Sequence, residues 1–91
     1  MSKTTATAPA ARRETMTDLM VAVRAVVPDA MMWKSTTMVA HSRKRGSARW
    51  ASADLASTGG VRVHLHDGTG HDLYAATCTE AAALMAAHIA A

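Results

Sequence analysis

No carboxylate falls between Asp29 and Asp54, although that stretch holds Lys34, Arg43, Lys44, Arg45 and Arg49. A basic segment without acidic neighbours cannot neutralise itself locally, so it either sits in water or meets something anionic. Phenylalanine is absent, and Trp33, Trp50 and Tyr74 are the whole aromatic supply. Alanine and methionine must therefore fill the core, one adding little buried area and the other packing adaptably. Cys78 is the single cysteine, which excludes an internal disulfide and removes any need for an oxidising compartment. No apolar run approaches the ~18 residues of a membrane span, and the first thirteen residues show no apolar leader core. A cytoplasmic protein without a secretory leader is the expectation.

At 91 residues the chain has room for one domain. Chains of this size bury only about 60–65% of their unfolded surface, so a second copy would add useful burial and a homodimer is expected. Net charge is +3 and unevenly spread, with +1 over residues 1–29, +5 over 30–53 and −3 over 54–91. That polarity predicts one basic patch instead of a general basic coat. The abundance of alanine, valine, arginine, threonine and glycine fits a GC-rich bacterial or phage genome.

Residues 1–14 lack periodicity and read as a flexible N-terminal arm ahead of a single α+β domain over 15–91. Met16, Leu19, Met20, Val23, Val26 and Val27 then follow helical spacing over 15–27. Thr15 with Asp18 forms a capping box at its start, and Pro28 ends it. Thr17, Ala22 and Arg24 should be wet. Residues 31–42 and 48–57 read as two strands joined by a turn at Arg43–Ser47. The preferred register pairs Thr36 with Leu55, Met38 with Ala53 and Ala40 with Ala51, leaving Val39, His41 and Trp50 on the other face. After Gly59-Gly60, Val61, Val63 and Leu65 alternate with Arg62, His64 and His66 as a half-buried strand. A turn at Asp67–Gly70, with Gly70 left-handed, leads into a strand over 71–77. It is expected to pair Leu65 with Leu73, Val63 with Ala75, His66 with Asp72 and His64 with Tyr74. Thr77 and Glu80 then cap a last helix carrying Leu84, Met85 and Ile89. The fold expected is a helix, a four-stranded antiparallel meander and a helix, with both helices on one face of the sheet.

The basic hairpin is the leading candidate site. Arg43, Lys44, Arg45 and Arg49, with Lys34 nearby, could neutralise phosphates, and Trp50 could stack on an unpaired base. The bland alternative is a solvated turn whose charges prevent edge-to-edge aggregation. Met31, Met32 and Trp33 form a candidate apolar contact for a protein partner. His64, His66 and Asp72 are ligand types a metal would accept, but a wet His–Asp cross-strand pair accounts for them more simply. Cys78, near a helix start, reads as a small buried residue. The Asp67–Gly70 turn lacks the Lys-Ser/Thr of a phosphate loop and opens a strand, which excludes that motif. No Ser/His/Asp set is recognisable, and neither a cofactor nor a small-molecule substrate is expected.

Arg49-Trp50 and Thr79-Glu80-Ala81 give segment 48–91 a loose resemblance to the arm-binding modules of phage integrases, from which its glycine spacing departs. The expected topology also resembles that of Whirly- and PUR-type single-strand binders. Three non-enzymatic readings follow. The first is a nucleic-acid-binding accessory or regulatory protein using the basic hairpin. The second is a protein-binding regulator or inhibitor of phage or mobile-element type, which would meet an acidic protein surface. The third is a small structural subunit of a larger assembly.

Overall fold

The structure, a computed structural model, describes residues 14–91. Its elements run α1 (Met16–Val26), β1 (Met31–Trp33), β2 (Thr37–His41), β3 (Trp50–Leu55), β4 (Val61–His66), β5 (Gly70–Ala75) and α2 (Cys78–Ala90). The strands form one antiparallel sheet in chain order, β1-β2-β3-β4-β5. Two helices against an antiparallel sheet is the expected class, but the sheet has five strands where four were expected. The arm expected over 1–14 lies outside the described residues except for Glu14, whose carboxylate accepts a hydrogen bond from the Cys78 backbone N–H at 2.9 Å.

The fifth strand comes from splitting the segment read as one strand over 31–42. Lys34 and Ser35 take φ of 53° and 62°, and the Thr36 N–H returns to the Trp33 carbonyl at 3.2 Å. Positive φ at both central positions makes a tight hairpin, which normally recruits glycine or asparagine. Neither is present, so the break carried no local signal. Thr36 is consumed by this turn and does not pair with Leu55. Beyond it, Met38 faces Ala53 and Ala40 faces Ala51, as expected.

The last hairpin differs by two residues from expectation. Its loop is Asp67-Gly68-Thr69, closed by His66 opposite Gly70. Val61 therefore faces Ala75, Val63 faces Leu73, Leu65 faces His71, Arg62 faces Tyr74 and His64 faces Asp72. Gly68, not Gly70, adopts the left-handed conformation, with φ of 112°. A slide of two keeps every side chain on its face, so hydrophobic patterning could not choose between the registers.

Both helices cover one side of the sheet. Leu19 and Val23 of α1 and Ala81, Ala82 and Met85 of α2 share a single core with Met38, Ala40, Ala51, Ala53, Val61 and Val63. Among the described residues, seven of the fifteen in the buried core are alanine, which lets the helices approach the sheet closely. The helix starts are capped as the sequence predicts. Thr15 Oγ1 accepts from the Asp18 N–H at 3.1 Å, and the Asp18 carboxylate accepts from the Thr15 N–H at 2.9 Å. Thr77 Oγ1 accepts from Glu80 N, but Glu80 reaches one residue further back, to the Ala76 N–H at 2.9 Å. Val27 is buried and Val26 exposed, because the chain turns away at Pro28. Ala22 is half-buried against the core and not wet as expected.

Candidate functional site

Among the described residues, no helix lies over the opposite face of the sheet. Antiparallel register arranges its side chains in three cross-strand rows. The first is Trp33, Thr37, Asp54, Arg62 and Tyr74; the second is Met31, Val39, Ser52, His64 and Asp72; the third is His41, Trp50, His66 and Gly70. Most of these positions line a shallow concavity of about 690 Å³, among them Val39, Ser52, Trp33 and Trp50.

Each row has its own chemistry. In the first, Arg62 makes a fork on Asp54, with Nε to Oδ1 at 3.2 Å and Nη2 to Oδ2 at 2.8 Å. These bonds hold the guanidinium in its charged form and cancel both charges in place. Aromatic rings bracket the pair, Trp33 being 55% and Tyr74 71% exposed. In the second row, His64 Nδ1 meets Asp72 Oδ1 at 2.7 Å. Asp72 was expected opposite His66, and the register shift hands it to His64. In the third, the Trp50 indole stacks on the His66 ring, with centroids 5.1 Å apart and planes 13° apart. His64 closes on the same indole at 5.2 Å.

Ser52, His64 and Asp72 fall in one row, a Ser/His/Asp set that no sequence spacing revealed. It is not arranged for nucleophilic attack. The His64 ring leans over Gly70, so that a Cβ there would stand 2.9 Å from Nε2, and Ser52 makes no hydrogen bond to it. Nucleophilic activation requires that bond and donors for the oxyanion, whereas here the backbone amides of the central strands are taken up by the ladder. Among the described residues, no group of three or more His, Cys, Asp or Glu is placed to hold a metal ion, so His64, His66 and Asp72 do not assemble as ligands.

The cationic loop, residues 42–49, extends from the end of the sheet that carries the third row. Its cations are not equivalent. Arg43 pairs with Asp29 at 2.9 Å, so the acid-free stretch finds a carboxylate just before its own start. Arg49 turns to the helix side, where its Nη1 lies 3.3 Å from His88 Nδ1. His88 Nε2 donates to the His66 carbonyl at 2.8 Å, which leaves Nδ1 to accept from Arg49. Lys44 and Arg45 are exposed and form no ion pair among the described residues. Lys34 lies at the other end of the sheet, its Nζ 4.6 Å from the Trp33 ring centroid. The apolar trio also divides: Met31 and Trp33 stand on the open face, whereas Met32 opposes Met38 and packs against the core.

Cys78 is 3% exposed under the start of α2. Burial pushes its thiol up to about 11, and the Glu14 and Asp18 carboxylates push in the same direction. Desolvation thus outweighs any lowering by the helix terminus. Among the described residues no helix is long and apolar enough to cross a membrane. The chain matches no protein-family model, and no significant match to a curated protein or to a solved structure was found.

Proposed function

We propose that this chain is a small non-enzymatic nucleic-acid-binding protein, accessory or regulatory in role, that presents its open sheet face to unpaired bases. The observation that carries this reading is that Trp50, half-buried and stacked on His66, opens β3 directly after the 42–49 loop, whose Lys44 and Arg45 form no ion pair among the described residues. Stacking a base on an aromatic ring contributes about 1–3 kcal/mol, whatever the base, and Trp33 and Tyr74 on the same face are exposed. Two free cations neutralise about two phosphates, which gives weak, salt-sensitive attachment. Arg43 and Arg49 contribute less than their charge implies, because each already has a partner in the fold. A cytoplasmic setting accompanies this reading, since one cysteine demands no oxidising compartment.

The test is fluorescence-anisotropy titration of single-stranded oligonucleotides across a salt series. Binding that weakens with salt, and is lost in Trp50→Ala, supports the reading. No signal at ~50 mM salt, or one indifferent to salt, overturns it. A protein-binding regulator is the second reading, favoured by Met31, which is 67% exposed beside Trp33 on the same face. It predicts that Met31→Lys removes partner binding while oligonucleotide titrations stay flat.

A further inference from the structure

The two edges of the sheet are protected very differently. β1 is three residues long and ends in a turn carrying Lys34. β5 is six residues long, and its ladder with β4 is unbroken from Gly70 to Ala75. It contains no proline, lysine or arginine and no bulge, the usual devices that keep an edge from pairing. Leu73 points to the helix side of the sheet yet is 39% exposed, and Tyr74 stands on the open face.

The geometry points to β5 as a homodimer interface, in which β5 of a second copy pairs antiparallel with it and the two sheets run on as one. The symmetry of such a pairing selects the register. A two-fold axis normal to the sheet keeps the helix sides together only if residues of the same parity face each other. Near the middle of β5 this leaves two registers, centred on Asp72 or on Leu73. Centring on Asp72 sets two carboxylates directly opposite, which is unfavourable. Centring on Leu73 brings it against Leu73 of the second copy and covers apolar surface on both. It also puts Tyr74 opposite Asp72 and His71 opposite Ala75, with no like charges facing. The occupant is therefore a second copy in the Leu73-centred register. The open faces of the two copies then lie side by side, with Tyr74 and Asp72 at the seam.

Sedimentation equilibrium of the full chain tests this inference without reference to any ligand. The wild type is expected to be dimeric at about 100 µM, with dissociation on dilution following mass action. Leu73→Lys should weaken the dimer about a hundredfold or more, because it opposes two cations and removes the apolar contact, with circular dichroism unchanged. Mild oxidation should link Leu73→Cys into a covalent dimer and leave His71→Cys unlinked, since position 71 faces position 75 of the second copy. The buried Cys78 does not compete in this reaction. A monomeric wild type, a dimer indifferent to Leu73→Lys, or equal cross-linking at 71 and 73 would each overturn the proposal. The first result would leave the β5 edge free for an extended segment of another protein.

Discussion

The His64 ring occupies the space above Gly70: a Cβ on residue 70 would stand 2.6 Å from His64 Cε1. Gly70 is thus required by a neighbour and not by its own backbone, since its φ is not in the left-handed range. The same ring is held by Asp72 at 2.7 Å and closes on Trp50, so one missing methyl group supports the central contacts of the open face. Gly70→Ala is expected to displace His64 and cost about 1 kcal/mol. In a His64→Ala background the same change should be close to neutral. A double-mutant cycle by urea denaturation reads the difference, and additive effects would refute the link.

The turn at Lys34-Ser35 holds two non-glycine residues at positive φ, a cost of about 1–2 kcal/mol each for an L-residue. Ser35→Gly should remove part of that strain and stabilise the protein by about 0.5–1 kcal/mol, seen as a higher denaturation midpoint with an unchanged m-value. A lower midpoint would show that the turn is not strained.

His88 joins three elements. It donates to the His66 carbonyl and accepts from Arg49, so it ties α2 to the end of β4 and to the residue preceding Trp50. His88→Ala leaves a half-buried carbonyl unsatisfied and should cost about 1–2 kcal/mol. Arg49→Ala should cost less in that background than in the wild type, because its partner is already gone.

Cys78 predicts a pH dependence of known sign. Its folded-state value of about 11 lies above the ordinary 9.0. Below that ordinary value the thiol is neutral in both states and its contribution to stability is fully present. Between the two values the unfolded chain ionises and the folded one does not, so stability falls as pH rises. Cys78→Ala should flatten this segment of the stability curve. Native Cys78 should also react with iodoacetamide far more slowly at pH 8 than the urea-unfolded chain does.

Under the nucleic-acid reading, the loop cations separate by partner. Lys44→Ala with Arg45→Ala should reduce the salt slope of single-strand binding by about 1 to 1.5. Arg43→Ala should change it less, because Asp29 already offsets that charge. Equal effects would mean that the Arg43–Asp29 pair opens on binding.

Local chemistry made much of this legible in advance. Thr15-Asp18 and Thr77 are contacts within one helical turn, so sequence spacing alone places them. The pairing of Met38 with Ala53 and Ala40 with Ala51 followed from requiring the small and apolar residues to share a face. The uncovered third row followed too, since alternation sends His41, Trp50 and His66 away from the helices. The hairpin at Lys34-Ser35 did not, because it uses residues that do not signal a turn.

Alternation of side chains determined, from sequence alone, the fold class and the face of the sheet on which each strand residue lies, because a period of two commits each position to a face. Only the tertiary structure decided position along the strands and the fate of the charges. A slide of two residues preserves every face, so the choice between His64 and His66 for Asp72 fell to Gly68 and to the space above Gly70. Whether a cation is free depends on what folds back to meet it. Asp29 lies fourteen residues before Arg43 and His88 lies 39 residues after Arg49, distances over which spacing carries no information about contact.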